Sequence, residues 1–211
     1  MIENISWVFF DIGSTIINEQ FAYEHRFKEI AEAANISYYK VYQMVINYYK
    51  QNKKGDLEVA RALDVTLSKW HSEDEVLYEN ASQCLEIIKK KYKIGIIANQ
   101  PFGTVERLEK HGILQHIDLV IASAEEGVAK PDKRIFETAL ERSGCKSENA
   151  IMIGDRIDND IVPAKSLGFH TIWIKQGFGQ YWKVTCEQEK PDYTVTCLSD
   201  IILIRSEEHT S

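Results

Sequence analysis

Five stretches of the chain carry apolar or β-branched residues almost without interruption: residues 6–12 (SWVFFDI), 93–99 (KIGIIAN), 118–123 (DLVIAS), 149–155 (NAIMIGD) and 170–175 (HTIWIK). Runs that are continuous rather than alternating belong to strands buried on both faces of a parallel sheet. Between and after them, residues 104–111, 132–142 and 158–167 follow helical periodicity. Strand and helix alternating at this spacing predict an α/β fold with a doubly wound, mainly parallel sheet.

The region between the first two runs is patterned differently. Tyr38, Val41, Tyr42, Val45, Ile46 and Tyr49 recur at i, i+3, i+4 and i+7, an amphipathic helix. Residues 21–34 and 74–91 are expected to be helices too, with no buried strand interrupting the block. A βα connection normally takes about 2–6 residues, so this block is an insertion. The expected division is a core of residues 1–17 and 82–205, a helical insert of residues 18–81, and a flexible polar tail at residues 206–211.

Composition narrows the class of function. The chain has 211 residues and a net charge of −7, so nucleic-acid backbones and anionic membranes are disfavoured partners. Its apolar runs fall far short of the ~20 residues of a membrane helix. Cys84, Cys145, Cys186 and Cys197 form no CxxC pair and have no His at zinc-ligand spacing, as expected of reduced thiols. The N-terminus enters a strand almost at once and carries no targeting signal, so a cytoplasmic location is expected.

In open α/β sheets ligands bind at the carboxyl ends of the strands. Asp11-Ile12-Gly13-Ser14-Thr15 follows the first run, Ala98-Asn99 closes the second, Lys130-Pro131 follows the third, and Gly154-Asp155 closes the fourth with Asp160 beyond it. Each is unremarkable alone: an Asp at a strand end caps turns and helices, and acids suit a helix start. Their joint placement after four successive strands is another matter. Carboxylates brought that close repel unless a cation holds them, and oxygen-only ligands favour magnesium.

FFDIGST at 9–15, IIAN at 96–99, Lys130 in AKPDKRIF and IGDRIDND at 153–160 resemble, in order, the four motifs of the haloacid dehalogenase-like (HAD) hydrolase superfamily of the helical-cap type. The resemblance spans nearly the whole chain. It implies a Rossmann-like core with a cap, and Asp11 as a nucleophile that takes up a phosphoryl group. It further implies Mg²⁺ held by Asp11, the Gly13 carbonyl and Asp155, with Asp160 behind them. Lys130 would offset charge, while Asn99, Ala98 and Ser14 would bind phosphate. The implied partner is a small phosphorylated metabolite, bound by a monomer or homodimer.

Two positions depart from the motif. Gly13 stands where the family's phosphatases carry a second Asp as general acid, and Ala98 stands where a Ser or Thr is usual. General acid–base assistance is worth about 10²–10⁴-fold, so function stays open among several readings. One is a phosphatase acting on good leaving groups or drawing its acid from Glu19, Glu24 or His25. A second is a haloacid dehalogenase, and a third a phosphonate hydrolase using Lys28, Lys40, Lys50, Lys53 or Lys54. The last is a phosphometabolite-binding protein with little turnover. Gly177-Phe178-Gly179 lacks dinucleotide spacing, and Trp173, Trp182 and Phe178 are expected in core packing.

Overall fold

The computed structural model describes residues 4–206. Among the described residues eight strands occur in chain order: β1 (Trp7–Phe10), β2 (Ile17–Asn18), β3 (Val76–Leu77), β4 (Lys93–Ala98), β5 (Leu119–Ala122), β6 (Ala150–Gly154), β7 (His170–Ile174) and β8 (Tyr193–Val195). Six form one sheet in the order β5-β4-β1-β6-β7-β8, and every pairing in it is parallel. The five expected strands are all present; β8 extends the sheet at its edge.

The helices are α1 (Gln20–Ala33), α2 (Tyr38–Tyr49), α3 (Gly55–Ala62), α4 (Ala81–Lys89), α5 (Thr104–Lys110), α6 (Ser123–Glu126), α7 (Lys133–Ser143), α8 (Val162–Ser166) and α9 (Leu198–Ser206). The continuous apolar runs are explained by two helical layers. Phe10 and Ile96 face a core completed by Cys84, Leu85 and Ile88 of α4, Leu108 of α5 and Leu198 of α9. Their neighbours Phe9 and Ile97 face the opposite core, with Ile135 and Phe136 of α7 and Ala164 of α8. Both faces exclude water, so neither register position tolerates a polar residue. Among the described residues no helix is long and apolar enough to cross a membrane.

One contact inside the sheet is unusually close. Phe9 pairs with Gly95, and a Cβ on Gly95 would run into the Phe9 ring. The ring lies stacked on Trp7, with centroids 5.4 Å apart. Gly95→Val is therefore expected to destabilise the protein by about 1–3 kcal/mol, the usual cost of overpacking a core. Urea unfolding measures it, and an unchanged midpoint would show that the ring moves aside freely.

The helical insert buries Phe27 and Ile30 of α1, Val41, Val45 and Tyr49 of α2, and Val59 of α3. These pack against Ile157, Ile161, Trp173 and Trp182, which belong to the α/β part. Phe178 enters the same cluster from the loop after β7, touching Tyr23, Phe27, Tyr42 and Tyr49. Arg26 and Asp56 form a buried ion pair at 3.0 Å that ties α1 to α3.

Two local expectations are corrected. Residues 74–91 are not one helix: a tight turn at Ser72–Asp74 precedes β3, and α4 begins only at Ala81 after Asn80 in the left-handed region (φ 64°). The cause is non-local, because β3 pairs antiparallel with β2 across the whole insert. Entry to the insert and exit from it thus form a two-stranded ribbon. Similarly, residues 158–167 form a wide π-type turn at Ile157–Ile161 followed by the short α8. Of the expected tail, Ser206 ends α9, and residues 207–211 lie outside the described residues.

Candidate active site

The sheet order places the site. The chain runs from β1 to β4 and β5 on one side, then crosses to β6, β7 and β8 on the other. A crevice opens at such a reversal, beyond the carboxyl ends of the strands. Phe10 is in register with Ile96 of β4 and Ile153 of β6, so Asp11, Asp155 and Asn99 follow one, two and three residues beyond that level, at the same edge of the sheet.

There they line a cavity of about 980 Å³ between the sheet edge and the insert, together with Gly13, Ser14, Lys130 and Asp160. Lys130 is the hub. Its Nζ donates to Asp11 Oδ1 and to Asp160 Oδ1, each at 2.6 Å, and the residue is 5% exposed. Burial alone would lower its pKa, but the charges of Asp11 and Asp160 outweigh it and hold the ammonium above the ordinary lysine range.

Asp160 is fixed from behind. Its Oδ2 accepts from the Arg156 backbone N–H at 3.0 Å, and its carboxylate lies over Gly154, where any Cβ would strike it. Asp155 is anchored through its carbonyl, which accepts from Trp173 Nε1 at 2.8 Å. Its carboxylate meets Gly179, where an added Cβ would stand 2.7 Å from Oδ2. Burial, then the charges of Asp160 and Asp11, push Asp155 well above the usual carboxylate range. Burial raises Asp160 as well, to about 6, against the lowering influence of Lys130.

The site is short of positive charge. One oxygen each of Asp11, Asp155 and Asp160 lies within 4.8 Å of the others. Three carboxylates meet one ammonium here, and the nearby Arg156 guanidinium is paired with Asp158. A hard divalent cation fits both that deficit and the all-oxygen donor set.

Asn99 is committed elsewhere than expected. Its Nδ2 donates to the Lys130 carbonyl at 2.8 Å, and its Oδ1 accepts from the Lys130 N–H at 2.7 Å. The side chain thus clamps the backbone that presents Lys130. Ala98 is fully buried in the apolar core beneath the cavity and does not line it. Ser14 lines the cavity in the left-handed region (φ 53°), with its hydroxyl donating to Glu19 Oε2 at 3.0 Å.

Glu19 is the residue whose position pattern reading could not supply. The chain turns tightly after Asp11, with Ile16 and Ile17 N–H donating to the Ile12 carbonyl and Ser14 N–H to the Ile17 carbonyl. That turn carries Glu19 back over Gly13. A Cβ on Gly13 would stand 2.5 Å from Glu19 Oε1 and 2.9 Å from Oε2, so the carboxyl fills the space that a side chain at 13 would occupy. The residue is partly buried and keeps some surface on the cavity. Burial, only partly offset by the Ser14 hydrogen bond, raises it to about 7. Of the other two acids considered, Glu24 accepts from Gln20 and His25 pairs with Asp74; neither lines the cavity.

Further from the floor, Glu75 is buried and accepts from Trp70 Nε1 at 2.7 Å and Arg107 Nε at 2.9 Å. This network joins the end of the insert to α5 along one cavity wall. Phe178 lines the cavity, whereas Trp173 and Trp182 pack beneath it.

The model of the haloacid dehalogenase-like hydrolases matches residues 5–168. The glyceraldehyde 3-phosphate phosphatase of Pyrococcus furiosus is 27% identical over 237 residues, covering 100% of this chain and 97% of that protein. The Methanocaldococcus jannaschii phosphatase of the same name is 35% identical over 119 residues, 56% of this chain and 51% of its own. The chain is thus matched to only about half of that relative. The fold is shared with YfnB of Bacillus subtilis, a HAD hydrolase solved bound to magnesium, at a TM-score of 0.68 and 19% identity, with 96% of this chain and 99% of that one covered. A family match that takes in β1, the insert and every strand-end acid of the cavity settles the classification: the chain belongs to the haloacid dehalogenase-like hydrolase family.

Proposed function

We propose that the protein is a magnesium-dependent phosphatase of small phosphorylated metabolites that works through an aspartyl phosphate on Asp11. The observation that carries this reading is Lys130 held at 2.6 Å from both Asp11 and Asp160, with Asp155 beside them. Phosphoryl transfer needs positioning and neutralised charge more than elaborate covalent machinery; this floor supplies the positioning and, through Lys130, part of the charge. The phosphatase names of two relatives support the substrate class. Residues 18–81 then act as a cap that closes the cavity, on a core of residues 1–17 and 82–205.

Asp11, Asp155 and the Gly13 carbonyl would hold the magnesium ion, with Asp160 behind them. Bound there, the ion supplies the positive charge that lets an anionic phosphate approach an anionic nucleophile. The protein's own steps follow from the geometry. Lys130 steadies Asp11 and screens the incoming phosphate. An Asp11 oxygen attacks phosphorus, and the bond from phosphorus to the leaving oxygen breaks. That oxygen takes a proton from the Glu19 carboxyl, which sits over Gly13. The resulting Glu19 carboxylate then takes a proton from water as the water attacks the aspartyl phosphate, which frees inorganic phosphate and restores Asp11.

The phosphonate alternative draws no such support, since Lys54, though it lines the cavity, is exposed and lacks the desolvation that activates a Schiff-base lysine. Metal dependence gives a direct test. Magnesium is expected to raise the melting temperature of metal-free protein, by an amount equivalent to about 2.7 kcal/mol at a hundredfold excess over Kd. Chelation should abolish phosphate-ester turnover, and Asp155→Asn should lose both responses. Turnover that is indifferent to chelation would reject this reading.

A further inference from the structure

The insert's side of the cavity carries a polar cluster that the chemistry above leaves unused. Tyr23 of α1 and Tyr49 of α2 line the cavity, with only 8% and 2% of their surface exposed. Their rings are held in place. Phe178 meets Tyr23 at 5.1 Å between centroids and stacks on Tyr49 at 5.3 Å. Gly55 closes on Tyr49 from behind, where a Cβ would strike the ring. The loop that carries Phe178 also sets their height: on its next residue, Gly179, a Cβ would stand 2.7 Å from Asp155 Oδ2. Tyr23 lies one helical turn after Glu19, its N–H donating to the Glu19 carbonyl at 2.9 Å. Both tyrosines therefore belong to the part of the chamber nearest the floor.

Beside them Arg26 lines the cavity and pairs with Asp56, whose charge acts on both phenols. A buried ion pair contributes little to stability unless its remaining polar atoms are satisfied. Here Arg26 Nε and Asp56 Oδ1 have no partner, so tying α1 to α3 does not by itself account for the pair. Electrically the cluster is neutral. Asp56 cancels Arg26, and burial holds both phenols above the ordinary tyrosine range, hence protonated. It offers a ligand hydroxyl groups in an aromatic frame, with no spare charge.

We propose that Tyr23 and Tyr49, in the charge-neutral frame of Arg26 and Asp56, select the leaving group, and that the substrates are phosphate esters of small uncharged polyols. This rests on the phosphatase reading for the phosphate, which the floor would hold, and adds what the phosphate is attached to. A substrate hydroxyl can both donate to a phenol and accept from one. A site built to bond hydroxyls rejects the analogue that lacks them, because its own buried polar groups are left unpaired. It rejects a carboxylate as well, since Arg26 is already neutralised and the added charge would be buried without a counter-ion.

The test compares glycerol 3-phosphate with propyl phosphate, which lacks both hydroxyls, and with 3-phosphoglycerate, which ends in a carboxylate. Calorimetry on the full chain carrying Asp11→Asn, with magnesium in excess, reads binding without turnover. Hydrolysis of p-nitrophenyl phosphate by wild type is followed in parallel. Glycerol 3-phosphate is expected to bind more tightly than either of the others by about tenfold or more, the worth of one or two hydrogen bonds. Adding Tyr23→Phe or Tyr49→Phe removes one oxygen and keeps the ring packing. Each should cut the preference over propyl phosphate by about threefold or more, with propyl phosphate itself bound as before. The comparison of three ligands needs no change to the tyrosines, so it decides even if a Phe variant melts early. Equal binding of the three, or no binding of any, overturns the proposal. So does a preference for 3-phosphoglycerate, which would assign recognition to Lys54, an exposed cation on the same cavity. A preference unmoved in both folded Phe variants overturns it too. If wild type leaves p-nitrophenyl phosphate intact, the phosphatase reading falls, and the binding order still decides this proposal.

Discussion

Asp11→Asn is expected to lower phosphate-ester turnover by about 10⁴-fold or more, the scale on which a nucleophile's removal is felt when it acts as one unit with its neighbours. The change is nearly isosteric, and an amide oxygen at 11 still accepts from Lys130. It also removes one of three carboxylates crowded within 4.8 Å. The folded protein should therefore be no less stable than wild type in metal-free buffer, and more stable if repulsion dominates there. A variant that melts at or above the wild-type temperature yet turns over nothing would separate chemistry from folding. Activity that persisted in a pure, folded Asn variant would overturn the nucleophile assignment, since no other side chain on the floor stands at the end of the central strand. Stopped reactions with a labelled phosphate add a positive signature: the wild type should carry acid-stable, hydroxylamine-labile label, and the variant none.

The parts of this molecule that were legible beforehand are those whose signal is local or whose order is topological. The parallel strands were readable because Phe9 and Phe10, or Ile96 and Ile97, are apolar neighbours facing opposite layers, which leaves a continuous run in the chain. The floor was readable because four strand ends must meet at one edge once the sheet is parallel, wherever the helices lie. What was not legible depends on pairings across the insert. Val76 and Leu77 form a strand only because Ile17 and Asn18 are there to receive them, so nothing near residue 76 distinguishes them from helix. The clamp of Asn99 on the Lys130 backbone joins residues 31 positions apart and has no signature in either segment.

Glu19 illustrates the boundary between the two. Its residue type made it one of three acids near the first motif, level with Glu24 and His25. Only the tight turn after Asp11, closed by β2 against β3, brings it over Gly13 rather than out along α1. The absent side chain at 13 and the carboxyl that fills its space are therefore one feature. In the fold, the space beside the glycine is occupied by the Glu19 carboxyl.

That equivalence predicts a crossed set of effects. Glu19→Gln keeps the volume and the hydrogen-bond acceptor for Ser14 but has no proton to give. It is expected to slow hydrolysis of alkyl phosphates by about 10²–10⁴-fold, the worth of a general acid. Acyl phosphates and p-nitrophenyl phosphate, whose leaving groups depart unprotonated, should lose far less in the step that forms the aspartyl phosphate, measured as the burst of released leaving group. A purely structural role for Glu19 would slow both substrate classes alike. Position 13 supplies the complement. The Gly13 backbone lies outside the left-handed region, and the atoms nearest to a side chain there are those of the Glu19 carboxyl. Gly13→Ala should evict the Glu19 carboxyl without replacing it, and so reproduce the leaving-group dependence of Glu19→Gln. Gly13→Asp combined with Glu19→Ala clears the volume and refills it with an acid attached two residues after the nucleophile, and should recover most of the alkyl-phosphate rate lost in Glu19→Ala alone. If the double variant is no faster than Glu19→Ala on alkyl phosphates while both fold and bind magnesium, the space over Gly13 is not where the proton is delivered, and the role assigned to Glu19 falls with it.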